Sequence, residues 1–134
     1  MTTGVIAALR ARADRGSAVS EFAMVAGLVS VLVLAAVQLA FALHLRNTAT
    51  AHVIEGARHG ARADLGPEDG AQRARELMAG SVPGTGGVAV TATRADVGGV
   101  AIVEVTASLA MPVFGPFGPA GAMTVTGQAY AEDQ

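Results

Sequence analysis

Residues 15–25 read RGSAVSEFAMV and place a carboxylate, Glu21, at the lip of a long apolar run. Two roles are open to such a group. At a helix N-terminus the macrodipole favours it by roughly 0.3 to 1 kcal/mol, and it rests at headgroup level. Alternatively it finds a cation, because a lone charge well inside a bilayer costs about 2.5 to 3.5 kcal/mol on insertion scales. His52, Glu55 and His59 share a helical stripe, yet the two histidines stand about 10.5 Å apart along the axis, too far to hold one zinc ion. Residues 84–89, GTGGVA, fit G-x-G-x-x-A but precede a strand pattern, so a phosphate would meet no helix terminus. A Walker loop needs lysine, which is absent, and there is no H-E-x-x-H or G-x-S-x-G. The residues therefore predict no catalytic group, no metal and no cofactor: the chain is not expected to be an enzyme.

These groups must be positioned by a small fold. With 134 residues, one domain at most is available, and its core is small once the apolar run is set aside. Hydrophobic residues make up 51% and aromatics only 4%, so the apolar content is mainly Ala, Val and Leu, which leans towards a membrane-anchored chain. Cysteine is absent, which excludes disulfides and thiolate metal sites. All nine basic residues are arginines, and the formal charge of -2 gives no electrostatic footprint for nucleic acid.

Residues 22–43 carry no formal charge and are broken only by Ser30 and Gln38. At helical rise they extend roughly 33 Å against a hydrocarbon core of about 30 Å. Being apolar all round rather than along one stripe, they predict a helix embedded in the lipid bilayer. Charge does not orient it: Arg10, Arg12 and Arg15 precede the span, and Arg46, Arg58 and Arg62 follow it. The short leading tail makes insertion with a cytoplasmic N-terminus mechanically simple. Ala23 with Gly27, Ala26 with Ser30, and Ala36 with Ala40 have small-x-x-x-small spacing along the span and permit lateral helix packing.

After residue 45 the helix is expected to leave the membrane as an amphipathic stem, with Ala49, Val53, Ala57 and Ala61 on one face and Glu55, Arg58 and Arg62 paired on the other. Gly66 and Pro67 then break the chain, and Glu68 and Asp69 open a short second helix running to about Met78. Residues 81–87 are a loop by composition. Alternating residues 88–93, 103–109 and 123–130 predict three strands, the first two joined by a turn at 96–99. Between the last two strands, residues 111–119 repeat Phe-Gly-Pro, either as a partner-binding tip or as rings that fold back over a small sheet. The expected fold class is α+β: a long N-terminal transmembrane helix, an amphipathic stem, a short second helix and a mostly antiparallel three-stranded sheet. Its divisions are a basic leader at 1–16, the span at 17–45, the stem at 46–80 and a β region at 81–134.

Two processing routes suit the apolar run. Ala40-Phe41-Ala42 offers a signal-peptidase triplet that would leave Leu43 first, although the run is longer than a typical h-region of about 7 to 15 residues. The other cut lies before the helix. Gly16 with Ser17-Ala18-Val19-Ser20-Glu21-Phe22 resembles the type IV prepilin processing motif G-x-x-x-x-E-F, behind a short basic leader. More widely, GSAVSEFAMV at 16–25, NTATAH at 47–52 and EGARHGAR at 55–62 resemble the TadE-like family of Flp (tight adherence) pilus assembly proteins. Members of that family often carry a proline a few residues after the E-F pair; this chain has Gly27 there and no proline before Pro67.

The resemblance implies a minor pilin-like protein, or pseudopilin, cut after Gly16 by a membrane-embedded aspartic prepilin peptidase. Other pilin-like subunits and the assembly platform would be its partners. It also implies a C-terminal β region ending in an acidic tail at 127–134. A side chain at Gly16 would obstruct an extended backbone in a narrow cleft. The cut would expose an α-amine on Ser17, a partner for Glu21 of the same or a neighbouring subunit, with Phe22 completing the motif. Loss of the leader would leave six basic and ten acidic residues, a formal charge of -4. The expectation is a single-pass protein of the cytoplasmic membrane, N-terminus cytoplasmic and C-terminal domain outside, with or without incorporation in a pilus. The alternative is a small secreted or membrane-anchored extracytoplasmic binding domain.

Overall fold

The computed structural model describes residues 2–81, 88–110 and 121–132, with side chains described from Gly16 onward. The apolar run is helical, within α1, Thr2–Gly60. The element order is α1, α2 (Pro67–Ser81), β1 (Ala89–Val97), β2 (Val100–Ala110) and β3 (Ala122–Tyr130), an α+β arrangement. Two compact units divide the chain, residues 1–39 and residues 40–134.

The first unit is helix alone. Its large apolar side chains are exposed, including Phe22, Leu28 and Leu32. The stretch Gly16–Gly60 is long and apolar enough to cross a membrane, and its most apolar window buries nothing within the chain. So much unbroken apolar surface suits lipid far better than water.

The second unit is built on small residues. Leu45, Ala49, Val53 and Ala57 recur every fourth position and form the buried stripe of α1. On α2 the buried face is Gly70, Ala71, Ala74 and Met78. The three strands pair antiparallel in the order β1-β2-β3. Val103, Val105, Ala107 and Leu109 of β2 point into the core, and Val90 of β1 and Val125 of β3 join them. Glu104, Thr106 and Ser108 of β2 face outward between Thr124, Thr126 and Gln128 of β3. There Thr106 and Thr126 share a hydroxyl hydrogen bond of 3.2 Å, and the Gln128 amide donates to Glu104.

Because the core residues are small, backbones must approach closely to fill it, and glycines permit this. A Cβ added at Gly127 would stand 2.6 Å from the backbone nitrogen of Ile54, so β3 lies directly on α1. A Cβ at Gly56 would meet the Gly70 carbonyl oxygen at 2.6 Å, and one at Gly60 would meet that of Gly66 at 2.7 Å. The two helices therefore touch backbone to backbone.

Local chemistry ends and starts the elements. At α2 the Gly66 N–H donates to Asp69 Oδ2 at 2.8 Å, and the Gly70 N–H donates to the Gly66 carbonyl at 3.2 Å. This is half of a capping box, with Pro67 at the first helical position. The β1–β2 turn is Gly98-Gly99, with φ of 65° and 86°, the double left-handed conformation of a two-residue hairpin. Asp96 Oδ1 accepts the Gly99 N–H at 2.8 Å and fixes it.

Three expectations change. Glu55 pairs with neither Arg58 nor Arg62 among the described residues; α1 stops at Gly60, which takes Arg62 out of helical register. Arg62 pairs with Asp64 at 3.7 Å instead. The second helix runs on past Met78 to Ser81, whose hydroxyl bonds the Leu77 carbonyl. The stretch expected to open an acidic tail, Gly127 onward, is strand through Tyr130, because Gly127 pairs with Val105 and sits against α1. The loop at 82–87 and the Phe-Gly-Pro segment at 111–119 lie outside the described residues.

Replacing Gly127 by valine should lower the stability of the second unit by about 1 to 3 kcal/mol, because the added carbons meet backbone rather than a yielding side chain. Gly27→Val, where an added Cβ meets nothing within 4 Å, should leave thermal unfolding of the detergent-solubilised chain unchanged. Circular dichroism melts of the two variants check this.

Candidate processing and assembly site

Gly16, Ser17, Glu21 and Phe22 lie on the exposed surface of α1. Ser17 and Glu21 are one turn apart, and the Ser17 hydroxyl donates to Glu21 Oε1 at 3.3 Å. Among the side chains from Gly16 onward no cation lies within ion-pair distance of Glu21, and the Ser17 hydroxyl is the polar side chain that meets its charge. The α-nitrogen of Ser17 is on the same turn as that hydroxyl. A new amine at Ser17 would thus start within the helical neighbourhood of Glu21.

The bond between Gly16 and Ser17 is not extended here. It lies within α1, and Ser20 adds a clasp: its hydroxyl reaches the Gly16 carbonyl at 2.7 Å and the Ser17 carbonyl at 3.0 Å. A protease that binds its substrate in extended form must first unwind this turn. Glycine makes that easier, since it weakens a helix by about 1 kcal/mol relative to alanine. An added Cβ at Gly16 would meet nothing within 4 Å, so no packing inside the chain requires glycine there.

Ala23, Gly27 and Ser30 form one exposed stripe further along the helix. Nothing in the chain lies within 4 Å of a Cβ placed on Gly27, and the Ser30 hydroxyl turns back to the Ala26 carbonyl at 2.8 Å. Satisfied in this way, Ser30 adds little polarity to the apolar surface.

Residues 16–58 match the family model described as TadE-like protein. Over this segment the chain is similar to TadE-like proteins. The match opens on Gly16 and closes on Arg58, so it takes in the Gly16–Phe22 motif, the apolar helix and the buried stripe of the second unit. Comparisons with curated proteins and with solved structures give no match.

His52 and His59 of α1 go to different neighbours. His52 bonds the Ser81 hydroxyl at the end of α2. His59 lines a polar groove with Asp69, Gln72, Arg73 and Glu76. Among the described residues no group of three or more His, Asp or Glu side chains is placed to hold a metal ion. The glycine contacts were not expected from the sequence, although Gly56 and Gly60 have the G-x-x-x-G spacing of closely packed helices. Arg75, which ties α2 to β1, also went unread, because its partner is a backbone carbonyl that composition does not reveal.

The native chain contains no cysteine, so single substitutions report position cleanly. In intact membrane vesicles, Ser30→Cys should resist a water-soluble maleimide and Glu55→Cys should react when its side of the membrane is exposed. Equal labelling of both would place residue 30 outside the bilayer.

Proposed function

We propose that the chain is a minor pilin-like component in the assembly of Flp-type pili, a single-pass protein whose leader is removed after Gly16 by a prepilin peptidase. The observation that carries this reading is the G-x-x-x-x-E-F motif at the head of the TadE-like segment, on an exposed helix followed directly by apolar surface. The chain is then a substrate of a peptidase and not a catalyst. Its N-terminus faces the cytoplasm, where the leader is cut, and the C-terminal domain beyond the span lies on the other side.

Each residue has a part in this scheme. Gly16 lets the helical turn open and the backbone enter the cleft. Cleavage converts the Ser17 amide into an amine that is protonated at neutral pH. Glu21 then meets a cation in place of the Ser17 hydroxyl, either in its own subunit or in a neighbour, which removes the cost of a lone carboxylate in lipid. Pairing between subunits would fix their axial stagger, while Ala23, Gly27 and Ser30 let their helices come close.

Intact-mass and N-terminal analysis of protein from cells with an active peptidase should give a first residue of Ser17. A start at Leu43 would indicate ordinary secretion, and one at Met1 an uncut anchor; either overturns the proposal. Gly16→Leu should abolish trimming. Glu21→Ala should leave trimming largely intact but reduce co-purification with other pilin-like subunits.

A further inference from the structure

We propose that the outer edge of β3 is a docking site for an extended segment of another polypeptide, one that presents an acidic residue next to an apolar one.

A three-stranded sheet has two edges, and this one treats them differently. Along β1, helix α2 packs close by, and Arg75 Nη2 donates to the Val90 carbonyl at 2.9 Å. Glu68 holds the other end of that guanidinium at 3.0 Å. The β1 edge is therefore capped at Val90, near the start of the strand, a device that hinders pairing there.

Along β3 no such cap exists among the described residues. The Ala131 N–H donates to the Ala101 carbonyl at 2.9 Å, which fixes the alternation: Ala101, Val103, Val105 and Ala107 of β2 turn their backbone groups towards β3. Thr124, Thr126, Gln128 and Tyr130 consequently direct their N–H and C=O groups away from the sheet. Donors and acceptors in that repeat are matched by another strand.

The side chains around this edge define what the strand must carry. Ala129 is opposite the buried Val103, so it lies on the helix side of the sheet. There Arg58, Ala61, Gln128, Ala129, Tyr130 and Glu132 line an open groove. Arg58 has no carboxylate within 4 Å among the described residues, and Glu132, though in the same groove, turns its carboxylate to the Ala63 N–H at 3.4 Å. Tyr130 lies on the opposite face, paired with Ile102 and beside the exposed Val97 and Val100 in a mostly apolar hollow. An incoming residue opposite Ala129 faces the unpaired guanidinium, and its neighbour opposite Tyr130 faces the ring. That is an acidic residue followed or preceded by an apolar one, with an Arg and a Tyr as anchors.

A second copy does not meet this demand through its own free edge, since β3 reads AMTVTGQAY and has no carboxylate. Its β1 edge is capped at Val90 by Arg75, and the carboxylate of that strand, Asp96, is engaged by the Gly99 N–H in the turn. A different polypeptide is the occupant the charges select.

The test uses the full chain in lipid nanodiscs and a fluorescent peptide, TVTVEVTVT, whose glutamate and valines fall on opposite faces when extended. Anisotropy should report saturable binding, and amide exchange should slow at Thr126, Gln128 and Tyr130. A peptide with lysine in place of glutamate should bind about tenfold more weakly, and Arg58→Glu should reverse that preference. A peptide N-methylated at the positions that bond β3 should not bind. Absence of binding up to about 1 mM, equal binding of the lysine and glutamate peptides, protection at β1 instead of β3, or self-association of the chain through β3 would each overturn the proposal.

Discussion

Backbone meeting backbone is the constraint on which the second unit rests. Its core holds alanines and valines, with Met78 and Leu109 the largest fully buried side chains. Side chains of that size fill space only if the elements lie unusually near each other, and missing Cβ atoms at Gly56, Gly60, Gly70 and Gly127 make this possible. Helix α1 touches α2 through the first three glycines and β3 through the fourth. Close packing at this density leaves little room for adjustment, so added volume at these positions has no soft neighbour to displace.

The first unit obeys the opposite rule. Among the described residues its most apolar window is unburied, and a Cβ added at Gly16 or Gly27 meets nothing within 4 Å. What disciplines it is polarity. Ser20 and Ser30 satisfy themselves on carbonyls of their own helix, whereas Glu21 is left with a neutral hydroxyl. Among the described side chains of this helix, Glu21 is thus a carboxylate met by a hydroxyl, placed near the head of the TadE-like match. The proposed role gives that charge a cation.

Much of this architecture could be read from the order of residues. The alternation over residues 103–109 named the four inward residues of β2, and the spacing of Ala49, Val53 and Ala57 named the buried stripe of α1, because both periods follow directly from backbone geometry. Pro67 with Glu68 and Asp69 marked the start of α2 for the same reason. Contacts between distant parts of the chain were not legible. That Gly127 rests on Val53 and Ile54, or that Arg75 reaches the Val90 carbonyl, depends on which elements meet, and no local pattern encodes it. The helical state of the Gly16–Ser17 bond was not read from the sequence, because the Ser20 hydroxyl that clasps this turn reaches main-chain carbonyls that composition does not reveal.

The seat of Gly127 on α1 also bears on the order in which the unit can be completed during synthesis. The stripe formed by Leu45, Ala49, Val53 and Ala57 emerges early, while the strands that cover it come late and β3 comes last. The β1–β2 hairpin can close on its own through Gly98-Gly99, and α2 can settle on it and on the glycines of α1, but the seat of Gly127 waits for the final strand. Until β3 arrives, the backbone of Val53 and Ile54 lacks the strand that covers it.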